Sequence, residues 1–265
     1  MIGIEHLIDL IYSEDIDSQI HYLNVLSELR RIDVKYMMSL KAFFVPNEKY
    51  LLEIMGSDAL NSSYDLYNSN GYCKWVGYLM IPVRDCKNKI ISFTGWCPFS
   101  KSLKDLNKED YEKYEHLKFK YQDSSSKVFD KSKHLFIPNG YRKMLKDDYL
   151  ILTDGVFDCL DFASMGFSAG CNLGSYVSDE ILFIMSLPSK RFVAYDNDEA
   201  GLKFYNSVKK IKNTTCIIQS KFKDFDDFIR NNNESIVKKK ILEGVNSKIL
   251  TPIRLWFTLY NLSYY

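Results

Sequence analysis

From Tyr149 onward, short apolar runs alternate with stretches of helical length, and no other feature of the chain constrains its fold as strongly. Tyr149–Thr153 (YLILT) ends in Asp-Gly, and Phe157–Met165 reads as a helix stopped by Gly166. Ser168–Cys171 is a brief strand, and Asp179–Ser186 is a helix stopped near Pro188. Arg191–Tyr195 (RFVAY) is a strand ended by Asp-Asn-Asp, followed by a helix over Glu199–Ile211 and a fourth strand over Thr214–Gln219. Continuously apolar strands that alternate with helices imply a parallel sheet covered on both faces, so the fold class is α/β.

In open parallel sheets, binding sites form at the carboxyl ends of the strands. Acidic residues fall at those ends here. Asp154 follows the first strand, and Asp158 lies four residues later on the same helical face. Asp196 and Asp198 follow the third strand, and Asp224 and Asp226 the fourth. Any one aspartate after a strand also reads as a turn or helix-cap residue. Six carboxylates converging on one edge, however, would repel unless a cation sits among them. Oxygen-only ligands favour Mg²⁺, with Mn²⁺ as the alternative, over zinc, and that donor set suits phosphoryl transfer.

The first half reads differently. Residues 5–60 are expected to be helical, from the spacing of Leu7, Ile8, Leu10 and Ile11 and of Ile20, Leu23, Leu26 and Leu29. Lys74–Pro82 and Lys89–Thr94 are β-rich runs around the polar turn Arg-Asp-Cys-Lys-Asn, hence a hairpin. From Arg84 to Lys146 there are fifteen Lys and Arg against eight Asp and Glu, although the whole chain carries only +1. A basic stretch beside an acidic one suits a protein that grips phosphates with one part and metal with another.

Composition excludes several classes. At 46% hydrophobic residues the chain can bury a core. No window approaches the ~20 apolar residues of a bilayer span, and the acidic N-terminus lacks a signal peptide's basic start, so a cytoplasmic protein with no membrane partner is expected. The six cysteines form no CxxC pair, so no zinc ribbon is expected and the thiols read mostly as buried and free.

The segments LILTDGVFDCLDFASMGF, CNLGS, RFVAYDNDEAGLKFY and KDFDDF together resemble a Toprim domain. Asp154-Gly155 stands where that family has Glu-Gly, and Asp196-Asn197-Asp198 matches its Asp-x-Asp motif. Upstream, LMIPVRDCKNKIISFTGW (79–96) and KYQDSSSKVFDKSKHLF (120–136) resemble segments of bacterial and phage-type DNA primases. The motif order agrees over roughly residues 20–232, with Asp123 in place of the family's Asn.

The resemblance implies a primase catalytic core without the zinc ribbon, making short RNA primers on single-stranded DNA by Mg²⁺-dependent nucleotidyl transfer. The expected domains are a primase-like α+β subdomain (1–146), a Toprim domain (147–232) and a helical extension (233–265). Asp154, Asp196 and Asp198 are the expected catalytic residues, and Asp154, Asp158, Asp196, Asp198, Asp224 and Asp226 the expected metal ligands. Arg84, Lys120 and Lys131 would bind nucleotide or DNA phosphates, while Gly155 and Gly174 would let backbone approach the site. Expected partners are single-stranded DNA, nucleoside triphosphates, and a replicative helicase or a zinc-ribbon protein on another polypeptide. The richness in Lys, Asn, Ile and Tyr suggests an AT-rich genome, and the primase reading carries the expectation of a phage, a mobile element or an AT-rich bacterium as source. A Toprim nuclease and a non-catalytic DNA-binding replication accessory protein are the alternative readings.

Overall fold

The computed structural model describes residues 4–30, 32–56, 66–68, 71–98, 121–124, 129–174, 176–196 and 198–217, with 235 and 238–239. The chain divides into two compact units, Met1–Asp130 and Lys131–Tyr265. No helix among the described residues is long and apolar enough to cross a membrane.

In the first unit, α1 (Ile4–Glu14), α2 (Ile16–Arg30), α3 (Val34–Ser39) and α4 (Tyr50–Met55) surround an antiparallel sheet. Its strands, β1 (Phe43–Phe44), β2 (Leu79–Arg84), β3 (Ile90–Trp96) and β4 (Tyr121–Asp123), lie in the order β1-β2-β3-β4. The spacing of Ile4, Leu7, Ile8 and Ile11 places one apolar stripe of α1 in the core, and all four are buried.

The expected helical span 5–60 is interrupted by β1. The buried side chain of Gln19 explains how that short strand is held. Its amide Nε2 donates to the Phe44 carbonyl (3.0 Å), and its Oε1 accepts from the Phe44 N–H (2.8 Å). One α2 side chain thus satisfies the backbone of a strand too short to recruit many partners. The expected hairpin is present, but its first strand starts at Leu79 rather than Lys74. Residues 74–77 form a turn in which Gly77 has φ 78°, a conformation an extended strand cannot contain. Asp85 shapes the hairpin turn by accepting from the N–H groups of Lys87 and Lys89, each at 2.9 Å.

The second unit carries a five-stranded sheet. β5 (Leu135–Phe136), β6 (Tyr149–Thr153), β7 (Ala169–Asn172), β8 (Lys190–Ala194) and β9 (Thr214–Ile217) lie in the order β5-β7-β6-β8-β9. β6 to β9 are parallel, as the apolar rhythm predicts. β5 is an antiparallel edge strand on β7, too short to stand out in the sequence. The helices are α5 (Tyr141–Asp147), α6 (Val156–Ser164), α7 (Asp179–Ser186) and α8 (Glu199–Val208). Leu150, Leu152 and Val193 of the central strands pack with Met144, Ile181 and Val208 of three helices.

Nearly all of the expected C-terminal extension (233–265), and most of the charged stretch 100–133, lie outside the described residues. Cys73, Cys97, Cys159 and Cys171 are buried free thiols, while Cys86 is exposed. Burial pushes the Cys73 thiol up to about 11 and holds the Cys159 thiol well above its usual range, so neither is ionised near neutral pH.

Candidate metal centre

The parallel strands end together, and their order brings β6 beside β8 with Thr153 opposite Ala194. The next residues therefore emerge side by side: Asp154 after β6, and Tyr195 and Asp196 after β8. Asp158, in the first turn of α6, joins from the helix that follows β6. A carboxylate oxygen from each of Asp154, Asp158 and Asp196 lies within 4.8 Å of the others. Asp158 is buried, and the other two are half-buried. The Asp196 N–H donates to Asp154 Oδ2 at 3.3 Å, tying the two strand ends together.

Like charges at that separation repel by roughly 1 to 3 kcal/mol per pair, for an effective dielectric between that of water and a protein surface. A cation among them removes this cost. The donors are carboxylate oxygens without nitrogen or sulfur, so the residues fit a hard divalent ion rather than zinc. Three carboxylates around such an ion would leave coordination positions for water or phosphate oxygens.

Asp198 has a different position in the structure. It is the N-cap of α8, its Oδ1 accepting from the Gly201 N–H at 2.8 Å, while its own N–H donates to the Asp196 carbonyl at 2.8 Å. It is exposed and lies outside the three-carboxylate group. Asp224 and Asp226 lie outside the described residues, as does Lys120.

Two glycines shape the centre. A Cβ on Gly155 would stand 2.6 Å from Asp158 Oδ2. A Cβ on Gly201 would stand 2.2 Å from the Asp196 carbonyl oxygen and 3.0 Å from Asp154 Oδ2. Gly155 was legible as a site residue from its place in the Asp-Gly pair. Gly201 was not, although it closes the Asp-Glu-Ala-Gly run; its proximity to Asp154 is visible only once β6 and β8 are neighbours.

Of the basic candidates, Lys131 packs its aliphatic stem over Gly174, with Cε 3.5 Å from where a Cβ would be. These two predicted residues are therefore brought together on the β7–α7 side of the second unit. The same loop is secured by Asn172, whose Nδ2 donates to the carbonyls of Gly174 (2.6 Å) and Tyr176 (2.7 Å). Arg84 belongs to the first unit, where its Nη1 pairs with Glu5 (3.1 Å) and donates to the Asn88 carbonyl (2.9 Å), bracing the β2–β3 turn.

Residues 151–229, which include Asp154, Asp158 and Asp196, match the family model described as Toprim-like. Solved structures of primases resemble most of the chain. The zinc-binding and RNA polymerase domains of the Aquifex aeolicus primase superpose with a TM-score of 0.66 at 17% identity, covering 98% of this chain and 71% of that one. The E. coli primase catalytic core does so with a TM-score of 0.63 at 17% identity, covering 91% and 77%. A DnaG primase catalytic domain bound to single-stranded DNA matches with a TM-score of 0.63 at 16% identity, covering 90% and 78%. No curated protein matches by sequence. The chain thus contains a Toprim-like domain and has the fold of a primase catalytic core.

Proposed function

We propose that this protein is a DNA primase catalytic core: a nucleotidyltransferase that joins ribonucleotides into short primers on single-stranded DNA, releasing pyrophosphate. The observation that carries the reading is the convergence of Asp154, Asp158 and Asp196 on the carboxyl edge of a Toprim sheet, in a chain that follows primase cores over most of its length. The DNA-bound state of a structural relative supports a single-stranded template as the nucleic-acid partner.

Asp154, Asp158 and Asp196 would hold Mg²⁺, or Mn²⁺ in its place, with Asp224 and Asp226 as further ligands from the segment after β9. The bound ion would supply the positive charge that offsets a triphosphate's negative charge. Asp154 is one methylene shorter than the Glu usual in the family, and the Asp196 N–H on its Oδ2 holds it at the edge. Asp198 acts by anchoring α8 and, through its N–H, the Asp196 carbonyl. Lys131, over Gly174, would contribute positive charge toward phosphate, and Lys120 and Arg84 would bind phosphates of nucleotide or template, as the family resemblance implies. We place the activity in the cytoplasm, with a helicase or a separate zinc-ribbon protein supplying template recognition.

The test is product formation by the full chain on single-stranded DNA with labelled ribonucleotides and Mg²⁺ or Mn²⁺. Oligoribonucleotides from wild type, absent in Asp196→Ala/Asp198→Ala, are the expected result. A shortened template would replace this reading with that of a Toprim nuclease. DNA binding without any metal-dependent product would replace it with the accessory role.

A further inference from the structure

We propose that the groove between α1, α2 and α4 of the first unit is a docking site for a basic, amphipathic segment of a partner protein. The groove encloses about 480 Å³, within the range of sites that hold a bound group. Glu14, Asp15 and Glu53 line it, and Leu10, Tyr22 and Tyr50 supply its apolar and aromatic surface. Among the described residues, none of the three carboxylates pairs with a lysine or arginine.

The charge pattern of the sequence points the same way. Residues 1–29 carry six acidic side chains and no lysine or arginine. Glu5 and Asp9 of this stretch pair with Arg84 and Lys41, whereas Glu14, Asp15 and Glu53 leave the charged lining of the groove wholly acidic, which repels a polyanion such as the nucleic acid that the basic stretch attracts. The aromatic elements are held in place. The Tyr50 hydroxyl donates to Asp15 Oδ2 (2.8 Å) and accepts from Gln19 Nε2 (2.7 Å). The Tyr22 ring leans on Phe44 with centroids 5.0 Å apart.

Carboxylates beside an aromatic face and a leucine are complementary to arginine or lysine on an apolar stem. The cation finds charge-assisted hydrogen bonds and a ring face, and the stem finds hydrocarbon. The partner class is therefore a protein segment alternating basic and aliphatic residues. The inference does not depend on the aspartate centre of the second unit.

The experiment titrates fluorescein-labelled Leu-Arg-Leu-Arg-Leu-amide with the full chain in Mg²⁺, read by anisotropy. Saturable binding is expected, with none for the peptide carrying Glu in place of Arg. Glu14→Gln/Glu53→Gln should weaken it at least about tenfold. Ser18→Arg, at an exposed lining position, should do the same by supplying an internal cation. Asp154→Asn/Asp196→Asn should leave peptide affinity unchanged, and all variants should be checked for wild-type far-UV circular dichroism. Two results would each overturn the proposal: no saturable binding, or equal affinity in the Glu14/Glu53 variant and wild type.

Discussion

Gly201, in the first turn of α8, lies against the backbone of Asp196 so closely that a Cβ would come within 2.2 Å of the Asp196 carbonyl oxygen and 2.9 Å of its nitrogen. The obstruction is main chain, which cannot swing aside as a side-chain end can. Gly201→Ala should therefore push α8 off the strand end. A loss of about 2 to 4 kcal/mol in chemical denaturation is expected, together with weaker Mn²⁺ binding by calorimetry.

Gly155→Ala should behave differently, because its obstruction is the carboxylate of Asp158 at 2.6 Å. That side chain can rotate away, so the fold should survive with a stability change of about 1 kcal/mol or less. Divalent-cation affinity should fall roughly as far as in Asp158→Asn, and combining the two changes should add little, since both remove one ligand.

The aspartates of the Asp-x-Asp motif should separate in their effects. Asp196→Ala should abolish metal-dependent product, a fall of at least about 100-fold for loss of a ligand to the ion that would offset the charge of the reacting phosphate. Asp198→Ala should lower stability by about 1 kcal/mol through loss of the α8 cap, with a smaller effect on cation affinity measured by calorimetry. Equal loss of cation affinity in the two variants would place Asp198 among the ligands.

Acid should loosen the second unit through Asp147 and Asp148. Burial raises the Asp147 carboxyl, but hydrogen bonds from Lys143 and Ser168, both 2.7 Å, and the nearby lysine charges outweigh it and hold it below its usual range. Hydrogen bonds from the Ser189 hydroxyl and N–H hold Asp148 low as well. Because both are depressed in the folded state, their stabilisation is complete above the unfolded carboxylate value of about 3.9. It is lost as pH falls through the lower folded values. Asp147→Asn should cost about 1 kcal/mol at pH 7 and flatten the decline in stability below pH 4, read by urea unfolding across pH.

Among the described residues, the buried Arg191 pairs with no carboxylate, and backbone carbonyls accept from both of its Nη groups. Nη1 donates to Met185, Ser186 and Pro188, and Nη2 to Ser189 and Lys212, gathering the end of α7 and the turn before β9. Burial lowers its proton affinity, and the nearby negative charge of Asp148 offsets this in part. Arg191→Met should cost about 3 kcal/mol or more in denaturant unfolding, because several carbonyls would lose a charged donor. Cation affinity should be unchanged, because Arg191 lies at the start of β8 and the metal centre beyond its end.

What the sequence determined by itself was the parallel sheet and its acidic edge. Four apolar runs, each followed by a helix or an acidic turn, can be buried on both faces only in a parallel sheet, and such a sheet exposes its strand ends on one side. Asp154, Asp158 and Asp196 were legible for that reason. Tertiary structure alone decided which carboxylates meet. The order β5-β7-β6-β8-β9 sets β6 against β8, so Asp154 and Asp196 converge, while Asp198 two residues later caps α8. The same holds for Gly201, and for β1, whose two residues are a strand because Gln19 satisfies Phe44 from 25 positions away. Local periodicity records which face of an element is buried; it carries no information about which element lies opposite, and the centre is built from elements that lie opposite one another.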